Sequence, residues 1–192
     1  KDTTQFNQKL YNWNNQPFLD LYVGDRNAMD GSLYNVLTFL PQAKTKYHEA
    51  TITFSPDLKT VYYTTNILKK KKLVIDEEST NNFQIIKADI KDDELINVQK
   101  VPFDSDGYSV GHPSLSEDGK WLFFASDMPG GFGETDLYVV QIGEDGSMGS
   151  PRNLGSTINT TGNEEFPYFR NKTLYFSSDG HYGWGDLDVY QS

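Results

Sequence analysis

The chain has 192 residues, 27 acidic against 17 basic side chains and a formal charge of −10, with 23% charged and 36% hydrophobic residues. This composition excludes a disordered polymer and argues against a nucleic-acid partner, which requires a basic face. The absence of cysteine excludes disulfide frameworks and thiolate metal sites but leaves the compartment open. No apolar run approaches the roughly 20 residues of a membrane helix. No signal peptide opens the chain, so a targeting segment of an exported protein would lie upstream or have been removed.

Aromatic residues make up 14%, and they favour pleated, half-buried surfaces. In chain order, Asp20-Leu21-Tyr22-Val23 reads as a strand, with a turn at Asp30-Gly31. Ile52-Thr53-Phe54, Val61-Tyr62-Tyr63-Thr64-Thr65-Asn66 and Phe83-Gln84-Ile85-Ile86 read as three more. The run Lys69-Lys70-Lys71-Lys72 falls in the long loop between the last two and reads as a solvated loop or strand edge. Pro113-Ser114-Leu115 is followed by the hairpin Ser116-Glu117-Asp118-Gly119-Lys120, in which Gly119 supplies a positive φ. Then come the strand Trp121 to Asp127, the loop Pro129-Gly130-Gly131-Phe132-Gly133, the strand Asp136-Leu137-Tyr138-Val139 and a turn at Asp145-Gly146. Pro167-Tyr168-Phe169, Thr173 to Asp179, the loop Gly180 to Gly185 and Asp188-Val189-Tyr190-Gln191 repeat that series. Asp127 precedes Asp136 by nine residues, as Asp179 precedes Asp188.

Each unit is therefore four short strands with no amphipathic helix, and Trp121-Leu122-Phe123-Phe124 lacks the alternation of a strand with one wet face. Repeats of roughly 40–60 residues that must cover both faces of a sheet stack radially into a β-propeller. The expected fold is all-β, with four-stranded antiparallel blades. Residues 1–46 supply a partial blade, 47–110 and 111–164 a blade each, and 165–192 a partial blade. Since propellers close with about 4–8 blades, about three and a half read as a fragment of a larger ring of roughly six.

The motifs His112-Pro113-Ser114-Leu115-Ser116-Glu117-Asp118-Gly119-Lys120, Phe123-Phe124-Ala125-Ser126-Asp127, Pro129-Gly130-Gly131-Phe132-Gly133 and Asp136-Leu137-Tyr138 resemble the WD40-like repeat often written PD40. The stretch Trp13-Asn14-Asn15-Gln16-Pro17-Phe18-Leu19-Asp20-Leu21-Tyr22 is similar to an early blade in OmpA-family envelope proteins of Bacteroidota, including the PorE-type component linked to type IX secretion. The resemblance implies a periplasmic, outer-membrane-associated interaction module. The rest of the protein would tether a secretion or gliding complex to peptidoglycan through an OmpA domain absent here, with a PorP/SprF-type outer-membrane protein as partner. The second unit departs from the pattern, with Leu58 in place of the turn glycine and Asn66 to Phe83 in place of the short glycine loop. Two alternatives remain: a TolB-like envelope-integrity propeller, and a propeller hydrolase or lyase acting on glycan or peptide.

Catalytic signatures are absent: no Gly-x-Ser-x-Gly elbow, phosphate loop or His-Glu-x-x-His pattern occurs. His48 and His112 fall near the same point of their repeats, where a ring nitrogen can bond backbone. Asp127, Asp136, Asp179 and Asp188 are either calcium ligands or, with Asp20, acceptors that lock the turn into the third strand. Phe132, Tyr182, Trp184 and Trp13 either cover the sheet ends or contact a partner. No other cofactor is expected.

Overall fold

The computed structural model describes residues 10–11, 16–77 and 79–192, and every regular element among them is a strand. Two-residue strands β1 (Leu10–Tyr11) and β2 (Gln16–Pro17) pair, and β3 (Tyr22–Arg26) forms a hairpin with β4 (Leu33–Thr38). Next in the chain are β5 (Glu49–Phe54), β6 (Thr60–Asn66), a small ribbon of β7 (Leu68–Lys69) and β8 (Lys72–Leu73), then β9 (Phe83–Lys91) and β10 (Glu94–Lys100). Four of these build one antiparallel sheet in the order β5-β6-β9-β10. Strands β11 (Val110–Leu115), β12 (Trp121–Ser126), β13 (Asp136–Gln141) and β14 (Arg152–Asn153) build a second, in chain order. A three-stranded sheet of β15 (Glu164–Arg170), β16 (Thr173–Ser178) and β17 (Asp188–Gln191) follows. The leading strands of these three sheets begin at Glu49, Val110 and Glu164.

The poor alternation of the sequence is explained by where the side chains go. Val61 and Tyr63 of β6 pack with Ile86, Ala88, Leu21 and Leu40 on one side, while Tyr62 packs with Leu122, Phe124 and Tyr138 of the next sheet on the other. Phe123 and Ala125 in turn face Leu174 and Phe176. Both faces of the inner sheets are thus covered by neighbours, and each strand must be apolar on both sides. Successive four-stranded sheets stacked face to face in this way are blades of a β-propeller.

Local chemistry is repeated with the blades. In the first hairpin of two sheets, Ser55 and Ser116 donate to Asp57 and Asp118 (2.7 and 2.6 Å), and each carboxylate accepts the N–H of Lys59 or Lys120 (3.1 Å in both). Gly119 takes φ +70 there, and Leu58 is forced to φ +60 at the same place. The leading strands are joined laterally: Thr53 Oγ1 accepts Leu115 N–H (3.2 Å), and Ser114 Oγ accepts Phe169 N–H (3.1 Å).

Candidate functional site

All three connections from the second to the third strand of a blade leave from one end of the stack. In the third blade, Asp136 closes this loop: its Oδ2 accepts Phe132 N–H (2.6 Å) and Asn153 Nδ2–H (2.7 Å), and its Oδ1 accepts Gly133 N–H (3.1 Å). In the fourth, Asp188 Oδ2 accepts the N–H groups of Trp184 and Gly185 (2.5 and 3.0 Å). Glycine is required at Gly131, because a Cβ there would sit 2.5 Å from Asp136 Oδ2, and Gly183 meets Asp188 in the same way. Asp20 differs. Its Oδ2 accepts Lys44 Nζ–H (2.6 Å), and Pro17, which has no N–H, stands where Gly133 and Gly185 donate.

Asp127 and Asp179 do different work. Asp127 accepts Ser109 N–H (2.6 Å) and Asp179 accepts Asn163 N–H (2.7 Å), each tying the end of a second strand to the approach of its leading strand. Asn66 does the same for His48 N–H (2.8 Å). The four carboxylates weighed as calcium ligands therefore receive N–H donors, and no three acidic or histidine side chains converge as a metal site among the described residues. Burial raises the Asp127 pKa, whereas the Asn163 backbone and side-chain donors lower that of Asp179.

These pinned loops present the aromatic residues outward. Tyr182 and Trp184 are fully exposed and Phe132 is 51% exposed. Trp13 lies outside the described residues. In the second blade the place of the glycine loop is taken by the β7–β8 ribbon, with Lys70 and Lys71 at its tip in the left-handed conformation. The ribbon is anchored by Asn81, whose Nδ2 donates to Ile67 and Val74 carbonyls (3.0 and 2.5 Å). Among the described residues none of the four lysines makes an ion pair.

A second feature lies along the leading strands. Each carries a bulge, and the bulged residues Thr51, His112 and Phe166 occupy the left-handed region at φ +31, +54 and +52. Such strain in non-glycine residues is unusual and gathers at sites with a job beyond packing. The three residues border a cavity of about 420 Å³, whose walls include Leu19, Asp20, Glu49 and Phe83. A neighbouring cavity of about 280 Å³ continues past the same bulges toward Tyr168.

The histidines do not share one register. His48 precedes its leading strand and accepts Leu19 N–H at Nδ1 (3.1 Å), whereas His112 sits at the bulge, where its Nδ1 lies 3.3 Å from Thr51 Oγ1 and its ring 4.2 Å from that of Phe166. Burial pulls the His112 pKa down to about 4. The third, His181, places Nε2 2.7 Å from the Ile158 carbonyl.

Sequence reading missed two buried glutamates, although a shared spacing marks them: Thr45 precedes Glu49 by four residues, as Thr160 precedes Glu164. Glu164 is fully buried and accepts Thr160 N–H, Thr160 Oγ–H and Ser178 Oγ–H (2.7, 2.7 and 2.6 Å). Glu49 is only 2% exposed and accepts Thr45 N–H through Oε1 (2.9 Å), with the Thr45 hydroxyl and the Asp20 carboxyl beside it. Burial pushes the Glu49 pKa up to about 7, and the neighbouring Asp20 adds to the rise.

No family model and no curated protein matches the chain. Among solved structures, a prolyl endopeptidase superposes with a TM-score of 0.50 at 20% identity, over 92% of this chain and 24% of its own. A puromycin-hydrolysing peptidase of Mycobacterium tuberculosis gives 0.51 at 18% identity, over 85% and 23%. TolB from Acinetobacter baumannii gives 0.49 at 19% identity, over 90% and 34%. The chain spans roughly a quarter to a third of the length of these proteins. At such identities the likeness shows the β-propeller fold alone.

Proposed function

We propose that these blades form a non-catalytic docking module, and that the end carrying Phe132, Tyr182 and Trp184 is its contact surface. The observation that carries this reading is the pairing of a fully exposed side chain with a pinned backbone at Trp184. Its backbone N–H is fixed by Asp188, so the loop that offers the indole to solvent is held in place. Large aromatics carried on a fixed backbone are efficient anchors for a partner. The non-catalytic part is supported by the state of the histidines, since two face backbone groups and the third is buried against Thr51 and Phe166.

The motif resemblance extends the proposal. The module would work in the periplasm as part of an OmpA-family protein, holding a PorP/SprF-type outer-membrane protein while a separate domain grips peptidoglycan. Titrating such a protein in detergent against the propeller tests this directly. We expect saturable binding that weakens at least about tenfold when Tyr182 and Trp184 are both changed to alanine, the usual scale for losing two aromatic anchors. Unchanged affinity in that variant removes the loop end as the docking face.

A further inference from the structure

The β7–β8 ribbon holds four lysines where local stability favours other residues. Its ladder pairs Leu68 with Leu73 and then sets Lys69 directly opposite Lys72, and like charges facing each other across an antiparallel pair destabilise it. Lys70 and Lys71 form the two-residue turn beyond, both in the left-handed region at φ +51 and +63. Turns of that shape favour asparagine or aspartate followed by glycine. The matching turns between β9 and β10 and between β15 and β16 begin with Asp92 and Asn171, types that tolerate a positive φ, and lysine does so less readily.

The charges are also left without counter-ions. All four lysines are exposed, and among the described residues none makes an ion pair, in a chain with 27 acidic side chains. Asp76, the nearest carboxylate along the chain, is engaged at the base of the ribbon, where it accepts Thr80 N–H (2.8 Å) and Asn82 Nδ2–H (2.9 Å). That base is firm. Val74 N–H donates to the Ile67 carbonyl (3.0 Å), and Asn81 Nδ2 bonds the carbonyls of both. Unfavourable turn and ladder residues, kept at an exposed and well-anchored place, point to binding rather than to packing.

The position of the ribbon and the charge of the rest narrow the partner. The ribbon joins the second and third strands of its blade, as the Phe132 and Trp184 loops do in the next two, so it leaves from the same end of the stack. The four lysines supply +4 of a net −10, which leaves −14 on the rest of the chain. A ladder of two residues and its turn carry the charge on the order of 10 Å outward, about one Debye length at physiological salt. An extended anionic surface, such as a lipid bilayer, therefore meets the acidic remainder too and is repelled. A short acidic segment can meet the ribbon alone.

We propose that the ribbon is the docking point for an acidic segment of a protein partner, whose Asp and Glu carboxylates pair with Lys69 to Lys72. This rests on the reading that the loop end meets a partner, and it names the chemistry that the partner presents there.

The test is an amide-shift titration of the protein with a capped hexapeptide of alternating Asp and Glu, against the same peptide built from Asn and Gln. At low ionic strength the acidic peptide should move the amides of Lys69 to Lys72 with a dissociation constant on the order of 1 mM, the scale of a few exposed ion pairs. Binding should weaken at least about tenfold at about 0.2 M salt, and the neutral peptide should not bind. Lys70→Asn with Lys71→Gly gives the turn the residues it prefers, so the ribbon stays folded, and should weaken the acidic peptide about tenfold. Lys70→Arg with Lys71→Arg keeps the charge and should keep the affinity. Changing Tyr182 and Trp184 to alanine should leave peptide binding unchanged, so failure of the aromatic docking face and failure of the ribbon are separate results. Unchanged affinity after Lys70→Asn with Lys71→Gly, equal shifts with the neutral peptide, or no shift at the ribbon overturns the proposal. So does lysine-dependent binding to vesicles of anionic phospholipid without binding of the peptide, which would assign the ribbon to a membrane surface.

Discussion

At residue scale the blades are specified by short polar devices that recur with the repeat, and their departures are informative. Leu58 occupies the turn position of Gly119 and pays with a left-handed backbone at φ +60, its side chain mostly exposed. Leu58→Gly should therefore raise stability by about 0.5 kcal/mol, the left-handed penalty of a branched residue less the entropy glycine loses on folding. Urea midpoints measure it, and a lower midpoint would mean that Leu58 packs usefully after all. Asp136 is the opposite case, with a carboxylate that satisfies two backbone N–H groups and Asn153. Asp136→Ala should cost about 3 kcal/mol, since it strands donors that the loop cannot turn to water. Asp20→Ala should cost less, because Asp20 bonds the Lys44 ammonium and the Tyr22 hydroxyl at a more open site.

At element scale the connections divide into pinned glycine loops and one basic ribbon. The lysine run is a solvated turn, as its composition implies, but it also forms the β7–β8 ladder, held at its base by Asn66, Asn81 and Asn82. Its tip is exposed and built from trypsin sites, so brief trypsin treatment should cut at Lys69 to Lys72 before any other segment. The nicked chain should keep its far-ultraviolet dichroism, because the sheet β5-β6-β9-β10 holds both fragments. First cleavage elsewhere, or unfolding on nicking, would show that the ribbon is more than an appendage. The terminal sheets carry a different message. Tyr22, Val23, Leu33 and Leu37 on one, and Phe166, Tyr168 and Val189 on the other, remain exposed, whereas the equivalent faces of inner blades are covered.

At the scale of the whole molecule, buried titratable groups set how stability follows pH. Glu49 and Asp104 have ordinary values of 4.5 and 3.8, and burial pushes each up to about 7 in the folded state. Between those limits the native chain holds more protons than the unfolded one, so these groups stabilise at low pH and their contribution is lost as pH rises through about 7. Burial raises Asp127 and Glu165 in the same sense. His112, drawn from 6.5 to about 4, acts the other way, losing stability as pH falls through that window, and His48 shifts in the same direction. Four acids outweigh two bases, so the urea midpoint should be higher near about pH 5 than near about pH 8. Glu49→Gln should shrink that difference. A midpoint that rises steadily toward pH 8 would contradict this balance.

The sequence by itself determined the blade. Strand order, the turns at Gly119 and Gly146 and the aspartates Asp57, Asp118, Asp136 and Asp188 follow from local chemistry: a positive φ selects glycine, a carboxylate two to four residues from an amide finds it, and a strand apolar on both faces calls for a neighbour on each side. Only the tertiary structure decided what lies between blades. The bulges that push Thr51, His112 and Phe166 into the left-handed region produce no compositional signal, because a histidine before proline or a threonine in a strand reads as ordinary. Glu49 and Glu164 look like surface carboxylates in a chain rich in them, and their burial depends on a sheet being stacked across them. That Glu164 gathers donors from Thr160 and from Ser178 across the sheet depends on the pairing of two strands. Local spacing encodes hydrogen bonds that close over a few residues. Burial is created by packing between sheets, so the Thr-to-Glu spacing marks the hydrogen bond but not the burial.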